Sequence, residues 1–215
     1  MQTKRLKEIL KVLTSVIKFD KTKPITALVS IIVEDGTCYL GATDLQTSIV
    51  ARTECDTNIS EVTVSMVDLF KLAKSFKGKE LSLSQDDDFL FVNCDGQYKL
   101  PIQLDIDGTQ VRLPISIVKQ DNLAVVNELD KLVKRGSIVV GEDILDVYHF
   151  AEHKVITTDS DSLAATTFEA PPCFVDVPSF AIEKLAHLGK SVNVSIEDCR
   201  MYAQTDAYAF STSWD

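Results

Sequence analysis

The sequence predicts an α+β fold made of two tandem copies of one module, each with two helices packed on antiparallel sheets. The first observation is a repeat, because the pattern at residues 62–73 returns 113 positions later at residues 175–186. The second is a change of periodicity within each copy, between helical spacing and strict alternation. Duplication favours a protein that acts through its geometry over one built around a single asymmetric catalytic pocket.

The length of the chain suits this division. Its 215 residues fit two domains of about 105 residues each, and a domain of that size can bury its own core. The predicted domains are residues 1–104 and 119–215, and residues 105–118 are predicted to link them.

Four segments with apolar residues at helical spacing are predicted as helices: residues 1–18, 65–79, 123–135 and 179–189. In the first, an apolar side lies opposite a stripe of lysines. The apolar side consists of Leu6, Ile9, Leu10, Leu13 and Ile17, and the lysine stripe of Lys4, Lys7, Lys11 and Lys18. Ser65 is predicted to cap the second helix and Gly78 to end it.

Strands are predicted where apolar and polar residues alternate between turn residues. In the first copy they cover residues 27–33, 38–42, 48–53, 80–84, 89–94 and 97–102. In the second copy they cover residues 138–150, 154–158, 163–168 and the region 192–211. The Asp35-Gly36 pair predicts a tight hairpin between the first two strands.

The charge is distributed unevenly between helices and the rest of the chain. The net charge of −10 argues at first against a nucleic-acid partner. However, the helical segments, counted as residues 1–18, 65–79, 119–135 and 179–190, hold 15 Lys/Arg and 6 Asp/Glu, a balance of +9. The remainder therefore carries −19. Basic helices on an otherwise acidic protein favour binding to nucleic-acid phosphates without sequence preference. The alternative is that the charged stripe is only the solvent-exposed face of an amphipathic helix.

Composition limits the cellular setting. Five cysteines, none in C-x-x-C spacing, are predicted to be reduced thiols, mostly at strand positions. No apolar run approaches the roughly 18 residues of a membrane span, and the N-terminus lacks the features of a signal peptide. We expect a cytoplasmic protein with no membrane partner.

Several motifs resemble the bacterial beta sliding clamp of DNA polymerase III. Residues 22–25 (TKPI), 33–45 (VEDGTCYLGATDL) and 62–64 (VTV) are similar to its first domain. Residues 157–164 (TTDSDSLA) and 175–178 (VDVP) are similar to its middle domain. The resemblance covers nearly the whole chain, and its specificity comes from the order and spacing of short motifs.

The resemblance implies a non-enzymatic processivity factor that encircles duplex DNA and tethers the replicative polymerase. It implies no cofactor, and a location at the nucleoid. The bacterial clamp has three domains and is a dimer, whereas two-domain clamps of phages, archaea and eukaryotes are trimers. A six-module ring would therefore need three copies of this chain, joined head to tail through edge strands. We expect a phage or prophage clamp acting in the host cytoplasm, or a three-domain clamp cut short.

In this family, cations on the inward helices hold DNA through loose phosphate contacts. The cations that match are Lys4, Lys7, Lys11, Lys71, Lys74, Lys77, Lys131, Lys134, Arg135, Lys184 and Lys190, with Arg5, Lys21 and Lys23 added near the helix ends.

Bacterial clamps also bind short polymerase and loader peptides in an apolar pocket formed partly by a Thr-Asp-Gly-His-Arg-Leu loop. The matching residues here are Thr158, Asp159, Ser160, Asp161, Ser162 and Leu163, so Gly-His-Arg is replaced. Two-domain clamps instead place the groove beside the interdomain linker. That groove would include Leu113, Pro114 and Ile115, unless these residues only pack the modules together.

Two other interpretations stay open. One is a clamp-fold interaction protein without ring closure. The other is a small acidic metal-dependent hydrolase that uses aspartate clusters such as residues 86–88. His149 and His153 with Asp159 and Asp161 resemble a metal site, but a hairpin is predicted there, and four residues along a strand span roughly 13 Å. No metal is therefore expected.

Overall fold

The computed structural model describes residues 1–57, 59–117, 123–139, 147–151, 154–158, 163–169 and 175–214, with the backbone alone for 135–139 and 166–169. The chain divides into two units, Met1–Ser116 and Ile117–Asp215. The architecture is α+β with antiparallel sheets and few helices, as the sequence predicts. No helix among these residues is both long and apolar enough to cross a membrane.

The described part of unit 1 contains two helices, a short 3-10 helix and seven strands. In chain order they are α1 (Thr3–Val16), the 3-10 helix (Pro24–Ala27), β1 (Leu28–Glu34), β2 (Thr37–Thr43), β3 (Thr47–Glu54), β4 (Ile59–Ser65), α2 (Met66–Ser75), β5 (Ser82–Gln85), β6 (Phe89–Asn93) and β7 (Gln97–Pro101). One antiparallel sheet has the order β4-β1-β2-β3 and the other β5-β6-β7. The β1–β2 hairpin turns at Asp35 and Gly36, both with positive φ, as a two-residue turn of this kind requires.

The helices of unit 1 bury the apolar side that their periodicity predicts. Leu6, Ile9, Leu10 and Leu13 of α1 are all buried, and α1 packs against α2. Ser65 caps α2, because its Oγ accepts a hydrogen bond from the Asp68 N–H at 3.2 Å. Since the apolar sides of both helices face inward, their lysines lie on the outer faces of two neighbouring helices.

The expected end of α2 at Gly78 is wrong. The helix ends at Ser75, where Phe76 turns to extended backbone. Gly78 serves a different purpose, because a Cβ added there would lie 2.8 Å from the Cys94 sulfur. The glycine thus permits a close approach to Cys94 and does not end the helix.

The last residues of unit 1 fold back onto its strands. The Gln103 N–H donates to the Thr63 carbonyl at 2.8 Å, and the Val111 N–H donates to the Gln103 carbonyl at 2.9 Å. Further along, the Ser116 N–H donates to Ser48 Oγ at 3.1 Å. Residues 105–116, which the sequence predicts as part of the linker, therefore pack on unit 1.

Within its described residues, unit 2 contains two helices and eight strands. In chain order they are β8 (Ala124–Asn127), α3 (Leu129–Val139), β9 (Val147–Ala151), β10 (Lys154–Thr158), β11 (Leu163–Glu169), β12 (Val175–Pro178), α4 (Ser179–Ala186), β13 (Ser191–Glu197), β14 (Arg200–Gln204) and β15 (Tyr208–Ser213). Their order in the sheet is β12-β9-β10-β11-β8-β13-β14-β15, and α3 packs against α4.

The helix predicted over residues 123–135 is wrong in its first half. Residues 124–127 form β8, and the buried Val126 pairs with Phe168 on one side and Val192 on the other. Glu128 then takes a positive φ of 55°, which breaks the chain direction before α3 begins. The strand predicted over 138–150 is also partly wrong, because residues 138–139 belong to α3 and β9 begins at Val147.

Four cysteines lie within the described residues, and all four are free thiols. Cys38 lies in β2, whereas Cys55 and Cys94 directly follow strands and Cys199 lies in the β13–β14 turn. The expectation that most cysteines occupy strand positions is therefore wrong for the described part of the chain. Burial raises the pKa of the Cys38 thiol to about 12.

Candidate nucleic-acid interface

The cations predicted on α1 differ in what they can offer to a ligand. Lys4 and Lys11 are exposed, and Lys4 and Arg5 both lie near Glu8, at 4.0 and 3.6 Å. Lys7 is half-buried, and its Nζ donates to the Phe76 carbonyl at 2.9 Å. Phe76 is the C-terminal cap of α2, where the helix dipole is negative, so Lys7 joins the two helices.

Three exposed lysines extend the same basic surface, two of them on α2 and Lys77 just beyond its end. Lys71 lies 3.7 Å from Asp68, and Lys74 lies over the Phe70 ring at 4.0 Å from its centroid. The side chain of Lys77 makes no ion pair among the described residues. Exposed pairs such as Lys71–Asp68 contribute little to stability, so these cations remain available to a phosphate.

The backbone of Lys77 also anchors the turn between β6 and β7. Its N–H donates to Asp95 Oδ2 at 3.1 Å, and the Tyr98 hydroxyl donates to Asp95 Oδ1 at 3.3 Å. The hydrogen bond from the Lys77 N–H lowers the pKa of Asp95, and the nearby Asp95 charge raises the pKa of Tyr98. This carboxylate is thereby fixed beside the end of α2, where it reduces the local positive charge.

Lys21 and Lys23 lie in the segment between α1 and β1. Both are exposed, and neither side chain forms an ion pair or hydrogen bond in the part of the chain that the structure describes. The sequence patterns do not single out their neighbour Phe19, whose side chain is 55% exposed. A lone aromatic residue between lysines, directly after a helix, is the signal that would identify it.

Unit 2 contributes fewer of the predicted cations than unit 1. Lys131 and Lys134 are exposed on α3, and Lys131 pairs with Glu128 of the preceding turn. Arg135 lies on α3, but only its backbone is described. Lys184 lies 5.6 Å from the centroid of the Phe180 ring, and Lys190 is exposed beyond the end of α4. The basic surface is thus denser in unit 1.

The residues predicted to bind partner peptides fall in two places. Thr158 ends β10 and Leu163 begins β11, where the two are directly paired, and Leu163 is 67% exposed. Between them, Ser160, Asp161 and Ser162 lie outside the described residues.

The second group lies at the end of unit 1. Leu113 is only 7% exposed and Pro114 is exposed. Ile115 covers Gly41, because a Cβ added to Gly41 would lie 2.3 Å from Ile115 Cδ1. Leu113 and Ile115 therefore contribute to the packing of unit 1.

The aspartates at residues 86–88 form a turn. Asp86 Oδ1 accepts hydrogen bonds from the N–H groups of Asp88 and Phe89 at 2.9 and 2.7 Å, which closes the β5–β6 hairpin. This carboxylate has a structural role in a solvated turn.

The histidine cluster is only partly described. His149 Nδ1 lies 2.5 Å from Asp176 Oδ1 across the β9–β12 pair, and His153, Asp159 and Asp161 lie outside the described residues. Across the residues whose positions are given, no three His, Cys, Asp or Glu side chains are placed to hold a metal ion.

A polar cavity of about 710 Å³ opens in unit 1 beside the start of α1. Its lining includes Arg5 and the carboxylates of Glu54, Asp56 and Glu80. The described lining contains no histidine.

No family model matches the sequence, and no curated protein matches it either. The fold, however, is similar to that of bacterial DNA polymerase III beta subunits. The DnaN sliding clamp of Pseudomonas aeruginosa, solved with griselimycin, matches with a TM-score of 0.78 at 18% identity, over 99% of this chain and 63% of that chain. The Thermotoga maritima beta subunit matches with a TM-score of 0.78 at 16% identity, over 99% and 63% of the two chains.

A third clamp, from Bacillus subtilis, matches with a TM-score of 0.75 at 16% identity, over the same shares of the two chains. The chain thus has the sliding-clamp fold over nearly all its length. It spans about 63% of the length of these relatives.

Proposed function

We propose that this protein is a DNA sliding clamp, a non-enzymatic ring that encircles duplex DNA and tethers a replicative polymerase. The observation that carries the proposal is the clamp fold over 99% of the chain, combined with lysines on the outer faces of α1 and α2 in a protein of net charge −10. Cations concentrated on a few helices, with acidic residues elsewhere, suit a surface that touches phosphates and slides along them.

The proposed ring consists of six modules. The two units are two copies of one module, so three chains in a head-to-tail homotrimer complete the ring. Because the matched clamps are longer than this chain, a ring that includes a further domain is the competing arrangement. Light scattering should give a mass of three times 23.8 kDa for the trimer, and a monomer at micromolar concentration would contradict it.

The proposed DNA contacts rest mainly on exposed cations of unit 1: Lys4, Lys11, Lys71, Lys74 and Lys77. Lys131, Lys134, Arg135, Lys184 and Lys190 add contacts from unit 2. Lys7 supports this surface by fixing α1 to α2 through the Phe76 carbonyl.

Polymerase and clamp-loader peptides are proposed to bind where β10 ends and β11 begins. The exposed Leu163 is the apolar anchor of this site, and Thr158 lies directly beside it. The intervening sequence Ser160-Asp161-Ser162 is polar and acidic, which favours peptides that bring a basic or hydroxyl-bearing residue next to an apolar one.

Topological retention on DNA tests the central proposal. The protein is mixed with linear duplex, the ends are ligated, and the circles are separated from free protein in high salt. A ring stays on the circle and leaves after one restriction cut, because only the closed path holds it. Equal loss from circular and linear DNA would instead indicate a clamp-fold protein without ring closure.

A further inference from the structure

The segment that follows α1 presents an aromatic ring among cations. Ile17 is fully buried and anchors the segment, whereas Phe19 is 55% exposed. Lys18, Lys21 and Lys23 are all exposed and form no ion pair within the described residues. Three exposed lysines and one exposed ring therefore occur within a stretch of six residues.

The backbone of this segment is held in one shape. Asp20 Oδ1 accepts from both the N–H and the hydroxyl of Thr22 at 2.8 Å. Thr26 Oγ1 accepts from the Asp20 N–H at 2.8 Å and donates to the Lys23 carbonyl at 2.7 Å. The Lys23 N–H also donates to the Asp20 carbonyl at 3.0 Å. The loop is thus ordered around Phe19 without using the ring itself.

The single acidic residue of the segment does not cancel its positive charge at the surface around Phe19. The Asp20 carboxylate is turned toward Thr22, and the hydrogen bond from the Thr22 N–H lowers the pKa of Asp20. Asp20 also interacts electrostatically with Lys23. Three lysines against one aspartate still leave residues 18–23 with a net charge of +2.

We propose that Phe19, with Lys18, Lys21 and Lys23, binds single-stranded DNA: the ring stacks on an unpaired base and the lysines contact the flanking phosphates. This goes beyond the duplex-encircling function, which uses phosphates alone. Stacking needs a base whose face is free, and in a duplex both faces are covered by neighbouring pairs. An ordered aromatic residue beside backbone-binding cations is the arrangement by which proteins hold single strands without sequence preference.

An acidic peptide would satisfy the lysines but would leave the face of Phe19 without a specific contact. A nucleotide satisfies both, since it carries a phosphate and a planar base in each repeat. The chemistry of the four side chains therefore favours a single strand over an acidic protein.

The first test measures the fluorescence anisotropy of a short labelled oligothymidine with the full chain and with Phe19→Ala. We expect the substitution to weaken binding by roughly 5- to 150-fold, the effect of losing one stacked base, while Phe19→Tyr stays close to wild type. An abasic strand of the same length is the matched ligand control, because it keeps the phosphates and removes the bases. Phe19→Ala should leave its affinity unchanged.

The second test reports contact directly. Trp214 is the single tryptophan of the chain, so Phe19→Trp in a Trp214→Phe background places one fluorophore at the site. Oligothymidine should quench this tryptophan, and the abasic strand or a polyglutamate peptide should not. Quenching by polyglutamate alone would assign the patch to an acidic peptide and overturn the proposal.

The third test concerns the lysines. Replacing Lys18, Lys21 and Lys23 together with Gln should reduce the dependence of log affinity on log salt by up to about 2, since each single-strand phosphate contact contributes about 0.7. An unchanged salt dependence would overturn the assigned role of the lysines.

These outcomes separate the inference from the sliding-clamp proposal. Phe19→Ala should leave retention on ligated circles unchanged, because the ring is not needed for encirclement. If Phe19→Ala weakens duplex and single-strand binding equally, stacking on an unpaired base is wrong even when circles are retained. If circles are not retained but Phe19→Ala still selectively weakens oligothymidine binding, the single-strand site stands and the clamp proposal fails.

Discussion

At the scale of single residues, burial decides how two similar thiols behave. Cys38 is buried in β2, and desolvation raises its pKa from 9.0 to about 12, whereas Cys199 is exposed in the β13–β14 turn. The thiolate is the reactive form, so only an exposed and titratable thiol reacts readily.

We expect iodoacetamide near pH 8 to modify Cys199 quickly and Cys38 only after unfolding, as peptide mass spectrometry would show. Because the pKa of Cys38 is raised in the folded state, its contribution to stability is complete below about pH 9 and is lost as pH rises toward about 12. Cys38→Ser should remove this part of the alkaline loss in denaturation measured across that range, and an unchanged profile would contradict the assignment.

A second prediction at the residue scale concerns Gly41. A Cβ there would lie 2.3 Å from Ile115 Cδ1, so Gly41→Ala should displace Ile115 and cost about 1–2 kcal/mol of unfolding free energy. In the double variant with Ile115→Ala, much of the cost of Gly41→Ala should disappear, because the clash is removed. Thermal unfolding of the wild type and the three variants gives the coupling energy, and strictly additive effects would show that the two residues are not in contact.

At the scale of elements, Lys7 and Lys11 form a matched pair on α1. Lys7→Met removes a hydrogen bond to the C-terminal cap of α2 and should destabilise the protein by about 1–2 kcal/mol. Lys11→Met should change stability by less than about 0.5 kcal/mol, because Lys11 is exposed. Urea denaturation distinguishes the two, and equal effects would mean that Lys7 does not join the helices.

The same elements show what the sequence can and cannot predict. The buried stripe of α1 follows from helical spacing alone, because a single apolar side must be covered. The same rule gives a wrong prediction for residues 124–127. Their apolar run, Ala-Val-Val, fits a helix as well as it fits a strand that lies between two other strands. Pairing with β11 and β13 selects the strand over the helix, and this pairing is a long-range contact that local periodicity does not report.

The predicted cations illustrate a further limit. Periodicity correctly places Lys4 and Lys11 on the outer face of α1, but it gives Lys7 the same role, although its Nζ is held by the Phe76 carbonyl. A hydrogen bond between residues 69 positions apart cannot be recognised from the local spacing of apolar residues. Phe19 likewise looks like a core residue by type, although its side chain is 55% exposed in the folded chain.

At the scale of the whole molecule, the separation of charge should govern DNA binding. Reversing Lys71, Lys74 and Lys77 to Glu together should weaken retention on circular duplex and flatten its salt dependence. The slope should change by roughly 0.9 for each phosphate that the protein no longer neutralises. Lys99→Glu with Lys154→Glu is the control, because these exposed lysines lie on strands. Equal weakening by both sets would show that net charge matters and the α2 surface does not.

The strand β8 has a consequence for how unit 2 unfolds. Val125 and Val126 are paired on both sides, with Glu169 and Phe168 of β11 and with Asn193 and Val192 of β13. The strand β8 therefore connects β9 to β12, which precede α4, with β13 to β15, which follow it. Neither set of strands can separate from β8 without breaking hydrogen bonds of β8. The amide protons of β8 should therefore exchange with solvent only when unit 2 unfolds cooperatively.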